Sequence, residues 1–109
     1  MHELALIESL VESVEAGVGG QRVAAVRLEV GRLTAVDPGA LQFCFELCVA
    51  GTCLEGARLE IREVPGRALC RHCGAEVDVE ATSALCPCGA AELQVISGEE
   101  LRLKEVEVA

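Results

Sequence analysis

The chain has 109 residues, 51% of them apolar, with a formal charge of −9, seven cysteines, two phenylalanines and neither tryptophan nor tyrosine. That length suits a small core carrying a still smaller module, and the core must be built from aliphatic side chains and cysteine. The acidity sets the chain against nucleic acid, whose binding depends on neutralising phosphates, and no apolar run is long enough to span a membrane.

At the N-terminus, Glu3, Glu8 and Glu12 interrupt the basic-then-apolar order of a secretory signal. A cytoplasmic location is therefore expected. In that reducing compartment an odd number of cysteines reads as free thiols or metal ligands rather than disulfides. His2 directly follows the initiator methionine, and two readings stand for it. One is a solvated chain end that tolerates almost any residue. The other is a metal-binding group made of His2, the Met1 amine and nearby backbone nitrogens.

From Met1 to about Ala16, Leu4, Ile7, Leu10, Val11 and Val14 fall on one helical stripe, with glutamates off it. Gly17, Gly19 and Gly20 end that helix. The stretch RVAAVRLEVG alternates as a half-buried strand, Ala24, Val26, Leu28 and Val30 opposite Arg27 and Glu29. Asp37-Pro38 then reads as N-cap and first helical residue. Leu41, Cys44, Phe45 and Cys48 give a second amphipathic helix ending near Gly51. ARLEIREV is a second strand.

Between Pro65 and Gly98 the periodicity lapses, and four cysteines are interspersed with glycine and proline. Alternation returns in GEELRLKEVEV, where the apolar positions shift parity from Leu101 and Leu103 to Val106 and Val108. A β-bulge near Lys104-Glu105 would keep both pairs on one face. The expected fold is α+β, two helices on a three-stranded sheet in the order α-β-α-β-insert-β. Residues 1–64 and 99–109 form the core, and residues 65–98 form an inserted zinc-ribbon-like domain.

CRHCG and CPCG supply Cys70, Cys73, Cys86 and Cys88. Paired cysteines in tight turns, each followed by glycine, predict a four-thiolate structural zinc site, and the metal can supply folding free energy to so small a unit. The second pair is C-x-C rather than C-x-x-C, so its turn must differ, and His72 is the alternative to Cys88 as fourth ligand. A single iron centre is also compatible with thiolates. Cys44, Cys48 and Cys53 read as small core hydrophobes.

Taken together, the MHE start, the segment VGRLTAVDPGALQFCFEL, the paired cysteines with CPCG and the tail SGEELRLKEVEV resemble the HypA/HybF family of hydrogenase maturation nickel metallochaperones. The resemblance covers essentially the whole chain, although the family usually has CPxC where CPC stands here. It implies a nickel domain into which a zinc domain is inserted, and no catalytic residues. It also implies that Ni(II) is carried and, with a HypB-type GTPase, delivered to the large subunit of [NiFe]-hydrogenase, some relatives serving urease. By position, the nickel residue is His2 with Glu3 beside it, and the zinc ligands are the four cysteines. The expected assembly is a monomer or weak homodimer.

The chemistry suits those residues. Nickel(II) accepts a square-planar field of nitrogen donors. The Met1 amine, the deprotonated His2 amide and the His2 imidazole form fused chelate rings, with the Glu3 amide as candidate fourth donor. Alternatively the Glu3 carboxylate orients the imidazole. The competing reading is a zinc-ribbon module recognising protein or nucleic acid through Arg67, Arg71 and His72. Overall acidity and the lack of stacking aromatics in the insert oppose it.

Overall fold

The apolar stripe of the first segment becomes helix α1, Glu3–Val18, which buries Ile7, Val11 and Val14. In this computed structural model residues 3–80 and 84–109 are described, so Met1 and His2 lie outside the described residues. Strand β1, Val23–Gly31, follows, and then a single 3-10 turn, Arg32–Thr34. Helix α2 spans Pro38–Cys48. It starts as its sequence dictates: the Asp37 carboxylate accepts from the Gly39 N–H at 3.0 Å, and Pro38 takes the first turn, where no N–H is needed. Strands β2 (Arg58–Val64), β3 (Arg67–Cys70), β4 (Glu76–Asp78), β5 (Leu93–Ser97) and β6 (Leu101–Val108) complete the described elements.

The chain divides into two compact units. The first runs through Glu29 and resumes over Val36–Arg62 and Arg102–Ala109; the second comprises Val30–Ala35 and Glu63–Leu101. Three-stranded sheet β2-β1-β6 and the two helices place this fold in the α+β class, and a second sheet, β4-β3-β5, lies in the insert. Sequence reading saw no strands in that insert. They are only three to five residues long, too short for alternation to register.

In the first unit the helices pack on each other, and Ile7, Leu41, Phe45, Leu54 and Val26 are almost wholly buried. Cys44, Cys48 and Cys53 are half-buried. On β1, Arg27 and Glu29 share the face opposite Val26 and Leu28. Glu29 is nevertheless only 4% exposed, because Arg102 Nε donates to its carboxylate at 2.6 Å and Arg62 at 3.0 Å. The Arg102 hydrogen bond holds the Glu29 carboxyl below its ordinary range against the opposing effect of burial.

The second unit is held by short antiparallel pairings. Arg67, Ala68 and Leu69 face Asp78, Val77 and Glu76 on one side, and Ala68 and Cys70 face Val95 and Leu93 on the other. Arg67 and Asp78 form an ion pair. Three glycines from separate stretches meet here. A methyl on Gly31 would collide with the Gly98 carbonyl, one on Gly66 with the Val79 carbonyl, and one on Gly98 would lie 2.6 Å from the Gly66 Cα. Gly98 also has φ +104, a conformation that other residues rarely adopt.

Candidate metal centres

Two knuckles of the second unit carry the four cysteines of the insert. In the first, Cys70 ends β3 and its N–H donates to Ala75 O at 2.8 Å, while the Gly74 N–H returns to Cys70 O at 2.9 Å. Between these bonds the chain curls under the sulfur, and the Cys73 N–H points at Cys70 Sγ at 3.4 Å. In the second, the Cys86 N–H donates to Ala90 O at 3.0 Å and the Gly89 N–H to Cys86 O at 2.8 Å. The frame is the same, each bond closing one residue sooner. Gly74 (φ +77) and Gly89 (φ +93) both occupy the left-handed region that lets each loop turn back. The second turn does differ, as its spacing required: C-x-C closes over three residues where C-x-x-C closes over four, within the same two-bond frame.

The four sulfurs lie within 4.8 Å of one another. Cys70 Sγ is 3.8 Å from Cys88 Sγ, and Cys73 Sγ is 3.7 Å from Cys86 Sγ, so each close pair joins one knuckle to the other. A zinc ion bound to four sulfurs at about 2.3 Å spaces them by about 3.8 Å along a tetrahedral edge. The cluster therefore fits that ion. His72 is exposed and lies outside the cluster, whose fourth member is Cys88.

Electrostatics agree with a cation at the centre. The Cys73 N–H, aided by that of His72, pulls the Cys70 thiol down to about 6. The Cys88 N–H acts the same way on Cys86, but burial and the surrounding sulfurs prevail and push it up to about 12. Cys70 and Cys86 are thus pushed in opposite directions, and thiolates this close would repel one another. A dication removes that repulsion. Cys70 and Cys86 are buried, whereas Cys73 and Cys88 are exposed, so one side of the cluster opens to solvent.

Of the residues expected to serve nickel, only Glu3 is among those described. It opens α1, and its carboxylate accepts from the Asp37 N–H at 3.2 Å, tying the start of α1 to the cap of α2. Sequence reading missed that contact, which spans thirty-four positions and has no local signature. It leaves the carboxylate engaged in the fold.

Residues 1–108 match the family described as "Hydrogenase/urease nickel incorporation, metallochaperone, hypA". Hydrogenase maturation factor HypA of Geobacter metallireducens is 53% identical over 109 residues, covering 99% of this chain and 99% of its own. Hydrogenase maturation factor HypA of a Nostoc species is 51% identical over 108 residues, covering 99% of this chain and 96% of its own. Among solved structures, the Ni metallochaperone HypA from Helicobacter pylori is alike in fold at a TM-score of 0.64 and 21% identity, over 99% of this chain and 97% of its own. The chain belongs to the HypA family of hydrogenase and urease nickel-incorporation metallochaperones.

Proposed function

We propose that this chain binds Ni(II) as cargo at its N-terminus and, with a HypB-type GTPase, delivers it to the large subunit of [NiFe]-hydrogenase. Family membership that begins at residue 1 carries this reading, because it includes the Met1-His2-Glu3 start. The donors are the Met1 amine, the His2 amide nitrogen and the His2 imidazole. Since the Glu3 carboxylate accepts from Asp37, the amide nitrogen of Glu3 is the better fourth donor. No catalytic step is assigned to the chain, and its thiols suit a reducing cytoplasm.

Cys70, Cys73, Cys86 and Cys88 are the proposed ligands of a resident structural zinc. Its contribution is to fold the second unit, supplying what a small apolar interior does not.

The test is nickel titration of the intact chain beside His2→Ala and beside protein acetylated at its N-terminus. Each change removes one donor, and a loss of about 100-fold in affinity, roughly 2.8 kcal/mol, is expected. Zinc content should stay at one per chain throughout. Equal nickel affinity in the three samples would place the site elsewhere. Because the donors must be proton-free, affinity should also fall as pH drops through the imidazole range.

A further inference from the structure

Three cations meet around one buried carboxylate on sheet β2-β1-β6. Arg62 reaches Glu29 from β2 and Arg102 reaches it from β6, the strands on either side of β1. The two arginines are rooted about 10 Å apart, two strand spacings, and Glu29 draws their ends together. Lys104 lines the groove that also holds Glu29 and Arg62. Arg102 first, then Lys104 and Arg62, favour the ionised form of Glu29 against the cost of burying it.

This is more cation than the carboxylate needs. Each guanidinium gives Glu29 one N–H, Arg102 from Nε to one oxygen and Arg62 from Nη1 to the other. Neither makes the two-pronged pairing that would use a guanidinium more fully. Among the described residues neither arginine makes another side-chain hydrogen bond, and Lys104 has no ion-pair partner. The side chains of Arg62 and Arg102 are 75% and 61% exposed, so their remaining N–H donors are open to solvent. Three positive charges against one negative leave two over, in a chain whose formal charge is −9. The acidic side chains alongside are engaged by Arg27, which pairs with Glu60, Glu105 and Glu107. More distant charges are screened over about 8 Å in physiological salt.

The groove beside this cluster has a volume of about 220 Å³ and includes Leu28 and Ile61 in its lining. It is smaller than the roughly 300 Å³ at which pockets for drug-sized ligands begin, so it suits a compact ion. Apolar walls strengthen the charge pairing that forms next to them. A phosphate group matches the remaining features. Its two negative charges balance the two in excess, and its oxygens accept from several N–H groups at once. Guanidinium forks fit such oxygens, and an ammonium adds a point charge. A carboxylate would bring half the charge.

We propose that Arg62, Arg102 and Lys104 form a binding site for a compact dianion of the phosphate type, with the buried Glu29 carboxylate as its positioning residue. Glu29 does not touch the anion. It holds the two guanidiniums in place, so that binding costs little ordering of long side chains.

The test is a titration of the full chain with its zinc, at pH 7.5 and constant ionic strength, followed by amide and arginine Nε–H shifts. The probes are inorganic phosphate, sulfate and acetate. Phosphate and sulfate should give saturable shifts centred on Glu29, Arg62, Arg102 and Lys104, and acetate should bind about tenfold more weakly. Lys104→Gln leaves both arginine–Glu29 pairs in place. It should weaken phosphate binding about tenfold without moving the urea midpoint, whereas Arg22→Gln, with the same change of net charge, should not weaken it. Tighter binding of AMP or of a phosphoserine peptide than of the free ion supports the site and identifies the carrier of the phosphate. No saturation up to about 50 mM, shifts mapping elsewhere, acetate binding as well as phosphate, or unchanged affinity in Lys104→Gln would overturn the proposal. A hexaglutamate peptide that binds where phosphate and sulfate do not would overturn it in favour of an acidic protein segment.

Discussion

Glu29 sits where a carboxylate is least at ease, nearly without solvent, and two guanidiniums make that placement tolerable. Its folded pKa lies below the unfolded one. Its contribution to stability is therefore complete above the ordinary carboxylate pKa, near 4.5, and fades as pH falls through the lower folded value. Glu29→Gln should be less stable than the unaltered protein at pH 7, and the gap should close as acid protonates Glu29. Urea midpoints of both proteins across pH 2 to 7 read this directly, and acid effects on the cysteines cancel in the difference. A constant gap would mean that packing, not charge, is what the carboxylate provides. The sequence placed Glu29 on the polar side of a half-buried strand but could not bury it. Its partners lie 33 and 73 positions away, and nothing local marks their convergence.

At the level of elements, the features with a local cause were legible. The helix stripes and the Asp37-Pro38 start of α2 follow from spacing over a few residues. Strands β3, β4 and β5 were not, because each is three to five residues long, too short for an alternating face to register. The knuckles show how much latitude such an element has. Since C-x-x-C and C-x-C share one hydrogen-bond frame, inserting a residue after Pro87 should preserve one zinc per chain. Cys88→Ser should lose zinc to a chelator far sooner, whereas His72→Ala should not. Metal content after dialysis against graded chelator separates these outcomes; a strong His72 effect would reinstate the imidazole as a ligand.

For the whole molecule, the two units differ in what holds them. The first has a continuous interior of Ile7, Val11, Leu41, Phe45 and Leu54. Among the described residues of 63–101 in the second, the buried apolar side chains are Ala68, Cys70, Val79 and Cys86, two of which are proposed zinc ligands. Stripping the metal should therefore melt sheet β4-β3-β5 while α1 and α2 persist. In amide spectra the signals of residues 67–97 should collapse to unfolded positions, with those of the helices largely unmoved. Loss of the helices in step would show the metal to be holding both units. Neither metal's role was readable from composition alone. The spacing of the four thiols pointed to the proposed zinc site, but the proposed nickel site needed the family, because two terminal residues carry too little pattern.

The glycine contact sets a further property of the insert. The 2.6 Å between a methyl on Gly98 and the Gly66 Cα puts the two Cα atoms within about 4 Å of each other, no farther than neighbours across one peptide bond. The chain leaves at Gly66 and returns at Gly98 through a single seam. Everything between is an excursion whose length is invisible to the strands on either side, so it can lengthen, shorten or be replaced by another module without changing the gap they must bridge.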